Sequence, residues 1–89
     1  MFRIFKVSGE SMKPAFKENN YVLTRKTKNI KENDVVVIYL DHYGNIIKRV
    51  SSIGVNGVKL RSDNPIYETG STQGDHKVSE IIGKVIFKI

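Results

Sequence analysis

Ser11 and Lys48 are the two side chains of this sequence that could together perform nucleophilic catalysis. Ser11 lies in the segment 7–14, Val-Ser-Gly-Glu-Ser-Met-Lys-Pro, which follows a strand-like stretch. Gly9 permits a tight turn and Pro14 fixes one backbone angle, so the Ser11 hydroxyl could be exposed and rigidly held, as a nucleophile requires. The segment alone more often marks an ordinary serine at a helix N-terminus, and a serine hydroxyl needs a base to react.

Lys48 could be that base because it lies among apolar residues of a predicted strand. Side chains alternate across a strand, so in the predicted strand 45–53 Ile46, Lys48 and Val50 share one face and Arg49 points to the other. A lysine there is either an edge residue whose amine reaches solvent or a buried amine, and position alone favours the first. Burial would disfavour the charged ammonium form, and only the neutral amine can accept a proton.

The elements that must position these side chains are predicted to be strands. The sequence contains 10 Val and 11 Ile against 3 Leu and 1 Ala, and β-branched residues favour strands over helices. A mainly β domain follows, and 89 residues suit a single domain spanning 1–89. A turn at 41–45 predicts that its flanking strands pair as an antiparallel hairpin. The predicted strands are 2–7, 21–25, 35–40, 45–53, 58–61 and 81–89, with a bulge or bend expected at Gly83.

The composition excludes several kinds of chemistry. With no cysteine, the chain has no disulfide, no zinc–thiolate site and no cysteine nucleophile. Its two histidines, His42 and His76, each follow an aspartate, and either could join Ser11 in a triad or bind a metal. Both are better interpreted as solvated loop residues, because an Asp-His pair without a third ligand is a weak metal signal. We expect no metal site.

Five motifs, in order along nearly the whole chain, resemble the Ser–Lys peptidases, a group that includes LexA-type and UmuD-type repressor peptidases and the type I signal peptidases. The first resembles the G-x-S-M-x-P box that holds the nucleophile, and the third the box that holds the lysine. The second matches the G-D-x-V box with Asn in place of Gly. The motifs are Gly9-Glu10-Ser11-Met12-Lys13-Pro14, Asn33-Asp34-Val35-Val36, Ile47-Lys48-Arg49-Val50, Ser62-Asp63-Asn64-Pro65 and Ile82-Gly83-Lys84-Val85.

The resemblance implies a fold and an activity. The fold is a small β-barrel or coiled sheet like those of LexA and signal peptidases, with at most short helical turns. The activity is that of a serine endopeptidase, in which Ser11 attacks a peptide carbonyl and Lys48 takes its proton. The expected partner is a polypeptide substrate, bound as an extended strand and cleaved in trans, because only ten residues precede Ser11. No cofactor is implied.

The resemblance also assigns further roles by position. In this family a second hydroxyl often orients the lysine; position 46 is Ile, and Ser62, Thr69 and Ser71 are the hydroxyls that could replace it. The other implied roles are oxyanion stabilisation by the backbone N–H groups of Glu10 and Ser11, substrate binding by Gly9, Met12 and Pro14, and structural support by Arg49, Asp63 and Asn64, with Arg49 close to Asp63.

A second interpretation starts from the net charge of +6 and the basic stretch 25–31. A non-catalytic basic β-barrel could bind nucleic acid or a protein partner through these cations and through aromatic residues. A solvated basic loop on a soluble protein is the favoured interpretation. We expect a cytoplasmic protein without a transmembrane segment, and the sequence leaves open peripheral membrane association and dimer formation. The residues concerned are Arg25, Lys26, Lys28 and Lys31, with Phe2, Phe5, Tyr21, Tyr39 and Tyr43.

Overall fold

One antiparallel sheet of six strands organises the part of the chain that the computed structural model describes, residues 1–41, 44–64, 66 and 74–89. Every predicted strand is present, and the ends differ from the prediction by at most one residue, so the mainly β fold is confirmed. A short 3-10 turn, Val78–Glu80, precedes the last strand. The strands are β1 (Phe2–Lys6), β2 (Tyr21–Arg25), β3 (Val35–Leu40), β4 (Gly44–Gly54), β5 (Gly57–Arg61) and β6 (Ile81–Lys88).

The strand order in the sheet is β1-β2-β6-β3-β4-β5, so the last strand in sequence lies near the middle. The predicted hairpin is confirmed: β3 and β4 pair from Val35 opposite Arg49 to Leu40 opposite Gly44. Its tip residues 42 and 43 lie outside the described part of the chain. No helix among the described residues has the length and apolar character needed to cross a membrane.

Strand β3 has apolar neighbours on both faces, as its unbroken apolar run predicts. Val36 and Ile38 belong to one core cluster, and Val35, one residue away, belongs to another on the opposite face. We call these the first core and the second core. The first core comprises Val36, Ile38, Val50, Val58, Leu60 and Ile81; the second comprises Val7, Met12, Val22, Val35 and Ile47.

The expected irregularity of β6 lies beside Gly83. The pairing with β3 shifts there, since Val37 pairs with Gly83 and Ile38 with Ile81. A Cβ atom at position 83 would meet Thr24 Oγ1 at 2.9 Å and Thr24 Cβ at 3.0 Å, closer than such atoms normally approach. The buried Thr24 on β2 therefore requires glycine at this position.

Candidate active site

The turn that carries Ser11 is held by backbone hydrogen bonds and by one buried side chain. Gly9 has φ of +83°, a conformation that favours glycine, and it lets the chain leave β1 sharply. The N–H of Lys13 donates to the Glu10 carbonyl at 3.2 Å, and that of Phe16 to the Met12 carbonyl at 2.9 Å. Met12 is buried in the second core, so the residue after Ser11 anchors the turn.

Lys48 is buried, with only 4% of its surface exposed. It lies opposite Val36 of the first core in the β3–β4 pair. Its Nζ donates to the hydroxyl oxygen of the equally buried Ser62 at 2.8 Å. The preference from position alone, for a lysine whose amine reaches solvent, is therefore wrong, and the buried alternative is correct.

The short segment 62–64 after β5 connects this lysine to the Ser11 turn. Its first residue, Ser62, accepts the hydrogen bond from Lys48. Its last residue, Asn64, donates its backbone N–H to the Ser11 carbonyl at 2.8 Å and its side-chain amide to the Glu10 carbonyl at 3.2 Å. The residue that contacts the Lys48 amine and the residue that contacts the Ser11 backbone are thus only two positions apart in the sequence.

The middle residue of that segment, Asp63, is held by the guanidinium of Arg49. Arg49 Nε and Nη2 donate to the two carboxylate oxygens at 2.8 and 2.9 Å, and Nη1 donates to the Asn33 carbonyl at 2.7 Å. Arg61 adds a longer contact of 3.3 Å to Asp63. The hydrogen bond from Asp63 raises the pKa of Arg49 above its ordinary value, against the lowering effect of burial. The predicted proximity of Arg49 and Asp63 is confirmed.

Ser11 and Lys48 line the same cavity, which has a volume of about 350 Å³ and opens to solvent. The remaining lining contains six apolar and three polar residues and comes from β1 and the two residues after it, from β2, from β3 and from the first half of β4. Gly9, Met12 and Pro14 are not among the lining residues, so their role in substrate binding stays a prediction. The other lining residues are Phe5, Lys6, Val7, Ser8, Val22, Val37, Asn45, Ile46 and Ile47.

Glu10 is the acidic residue nearest in sequence to Ser11, and its side chain is about half exposed. It forms a 2.8 Å ion pair with Lys13, and the two side chains are 45% and 40% exposed. This carboxylate therefore points toward solvent. That orientation agrees with the predicted role of Glu10, in which its backbone N–H stabilises the oxyanion and its side chain takes no part.

The predictions for the two histidines have different outcomes. His76 is buried, and its backbone pairs with that of Val58, so the prediction of a solvated loop residue is wrong for it. The sequence around His76 is polar and gives no sign of burial. The residue is buried because it pairs with β5, which lies well before it in the sequence. His42 lies outside the described residues. Within the described ranges, no three His, Cys, Asp or Glu side chains come together in a way that could hold a metal ion.

The sequence did not single out Ser62 as the hydroxyl that contacts Lys48. Two of the three hydroxyls considered, Thr69 and Ser71, lie outside the described residues, while Ser62 makes the contact. Strand alternation carries a usable signal, because Leu60 faces the first core and Ser62 follows it by two residues. The basic residues of the stretch 25–31 are exposed: Arg25 ends β2, and the three lysines lie on the connection to β3, as expected for a solvated loop.

An antiparallel sheet whose buried lysine lines one cavity with a serine-bearing turn is the arrangement expected of the class of small β domains found in LexA-type and UmuD-type peptidases. The chain matches the family model described as Peptidase S24-like over residues 2–86, and it belongs to that family. No curated protein and no solved structure gives a significant match.

Proposed function

We propose that the protein is a serine endopeptidase that cleaves a polypeptide in trans with Ser11 as nucleophile and Lys48 as general base. The observation that carries this proposal is the cavity that both residues line. Family membership supports a peptidase-type domain, and the hydrogen bonds of the segment 62–64 support a fixed relation between the two side chains.

In the proposed reaction Lys48 acts as a neutral amine. It takes the proton of the Ser11 hydroxyl while Ser11 Oγ bonds to the substrate carbonyl carbon, and it then gives that proton to the leaving amine as the peptide bond breaks. A water molecule next loses a proton to Lys48 as its oxygen bonds to the acyl carbon. The bond from that carbon to Ser11 Oγ then breaks, Lys48 returns the proton to Ser11 Oγ, and the acid product leaves. The backbone N–H groups of Glu10 and Ser11 would stabilise the oxyanion.

The environment of Lys48 favours this role. Burial disfavours a charged ammonium group. Its amine donates to the hydroxyl of Ser62, which orients the nitrogen and carries no charge of its own. A hydroxyl can also reverse its role, accepting from the amine in one step and donating to it in another.

The sheet offers a place for an extended substrate. Pairing between β4 and β5 begins at Arg49, so the segment 44–48 has a strand partner on the β3 side only, within the described residues. Val50 donates its N–H to the Asp34 carbonyl, and hydrogen bonding alternates along an antiparallel pair. The backbone groups of Asn45 and Ile47 therefore point away from β3, toward the cavity that they line. A peptide strand could add there, with its side chains in the cavity.

Labelling with a serine-reactive acylating probe tests the nucleophile directly. We expect the protein to be labelled at Ser11, and both Ser11→Ala and Lys48→Arg to lose labelling, because a guanidinium stays protonated and cannot act as the base. Ser79→Ala is the matched control, because Ser79 is an exposed serine outside the cavity. Labelling that persists in folded Ser11→Ala would exclude the proposal. Comparison of new protein N-termini in cells with active or Ser11→Ala protein would then identify substrates.

A further inference from the structure

An exposed apolar surface covers one face of β1, β2 and the end of β6. Phe2 and Ile4 are each 60% exposed, and Phe87 and Ile89 are each 63% exposed. The register aligns Ile4, Leu23 and Phe87 in one row across the three strands, and residues directly opposite in a pair share a face. We call this surface the outer face; it comprises Phe2, Ile4, Tyr21, Leu23, Ile86, Phe87 and Ile89.

The outer face is exposed because these strands pack against the second core with their opposite face. Phe5, Val22 and Val85 point the opposite way and pack in or against the second core. The register passes from Leu23 opposite Phe87 to Thr24 opposite Val85, so Ile86 is an extra residue on β6; it is 45% exposed, and we assign it to the outer face. A continuous apolar surface of this kind is uncommon on a monomeric protein and marks an interaction site.

The charge of the same strands is entirely positive. β1, β2 and β6 contain five Lys and Arg residues and no Asp or Glu. Two of these cations stand at opposite ends of the outer face, since Lys6 pairs with Tyr21 and Arg25 pairs with Phe2. Lys84 and Lys88 are engaged elsewhere, with Asp34 and with the Phe16 ring. The surface is therefore apolar in its middle and cationic at its ends.

We propose that the outer face binds the surface of a membrane rich in anionic lipids. Apolar side chains enter the interface between headgroups and acyl chains, and cations at the rim meet the negative surface potential. Tyr21, with a polar tip on an apolar ring, fits the same boundary. The proposal does not depend on the activity of Ser11 and Lys48.

A second copy of the protein and single-stranded nucleic acid would each fit the outer face less well than a membrane does. In a two-fold pairing of outer faces the rim of one copy, with Lys6 and Arg25, would meet the acid-free strands of the other, so cations would oppose cations. Single-stranded nucleic acid stacks on aromatic rings, but four of the seven outer-face residues, Ile4, Leu23, Ile86 and Ile89, are aliphatic and have no π-face for a base.

Sedimentation of the 89-residue chain with lipid vesicles tests the proposal. The probes are vesicles of phosphatidylcholine alone and vesicles that also contain phosphatidylglycerol. We expect binding to the anionic vesicles, weakened by salt, and little binding to the neutral ones. The double variant Ile4→Gln/Phe87→Gln should bind at least about tenfold more weakly, because it removes apolar side chains from the interface. Arg25→Gln should weaken binding about fivefold.

The controls are Val55→Gln, an exposed apolar residue between β4 and β5, and Lys59→Gln, an exposed cation on β5. Both should bind anionic vesicles like the unchanged protein. Circular dichroism verifies folding, and Phe2→Gln at the start of β1 replaces the double variant if that variant unfolds. Failure to bind anionic vesicles, or equal loss in the controls, would overturn the proposal. A dimer that the double variant abolishes, or a single-stranded DNA complex that it abolishes, without vesicle binding, would assign the outer face to those partners instead.

Discussion

Replacing Asp63 by Asn should destabilise the fold far more than breaking a surface ion pair of the same length. The Arg49–Asp63 pair has a shortest N–O distance of 2.8 Å, and its side chains are 22% and 12% exposed. Exposed pairs contribute about 0.2–1 kcal/mol, whereas breaking a buried pair costs about 3–5 kcal/mol. Asparagine keeps one acceptor oxygen, so we expect a loss of about 2 kcal/mol, between these limits. For a domain of this size that loss lowers Tm by about 8–16 °C.

The Glu10–Lys13 pair is the matched control, because its N–O distance is also 2.8 Å while its side chains are 45% and 40% exposed. Lys13→Gln should cost less than about 0.5 kcal/mol in urea unfolding. A double-mutant cycle with Arg49→Met and Asp63→Asn should give a coupling energy of at least about 1 kcal/mol. Equal losses for Asp63→Asn and Lys13→Gln would refute the reasoning, since burial is the difference between the pairs.

Two further readouts belong to the same experiment. The amide of Asn64, which donates to Ser11, should exchange its hydrogen faster in Asp63→Asn, because the segment 62–64 loses its anchor. The stability difference should be constant across neutral pH. Asp63 raises the pKa of Arg49, so the guanidinium is charged at neutral pH, and on the alkaline side its contribution is lost as the pH rises through that elevated pKa.

Three other predictions concern the site and the sheet. Peptidase activity should rise with pH as the Lys48 amine loses its proton, and a pH profile that falls across the same range would contradict its role as base. Ser62→Ala should reduce kcat about tenfold or more by removing the acceptor from a buried amine, whereas Ser62→Thr should restore most of it; an unchanged kcat in Ser62→Ala would remove Ser62 from the mechanism. Gly83→Ala should lower the free energy of unfolding by about 1–3 kcal/mol because the new Cβ meets Thr24. Gly54→Ala, which has open space around its Cβ position, should change that free energy little. Equal effects of the two variants in chemical denaturation would show that Thr24 moves aside without cost.

The strands could be predicted from the sequence because their signals are local. Alternation in 45–53 places Lys48 with Ile46 and Val50, and the structure shows the side chain buried with that apolar set. The hairpin follows from a turn flanked by two β-branched runs. The nearness of Arg49 to Asp63 came from resemblance, since nothing in the spacing alone places an arginine of β4 beside a residue that follows β5.

The rest could not be predicted because it depends on contacts between distant parts of the chain. Nothing in the local sequence of β2, β3 or β6 indicates that β6 pairs with the other two strands. The burial of His76 against β5 and the hydrogen bond of Lys48 to Ser62 arise only after the sheet has formed. The exposed side of β1 is a similar case: alternation identifies Phe2 and Ile4 as one face, but only the complete sheet shows that no core covers them.

The position of β6 bears on how the chain acquires its structure during synthesis. β1 with β2, and β3 with β4 and β5, are sequence-local meanders that can assemble as soon as they leave the ribosome. Neither meander pairs with the other, and each must wait for the final strand, which hydrogen-bonds to both. Until then β2 and β3 present bare edges that can recruit other chains. We therefore expect nascent chains stalled before Ile81 to lack the fully folded sheet. Deletion of β6 should leave two meanders that share no strand pairing and are prone to aggregation.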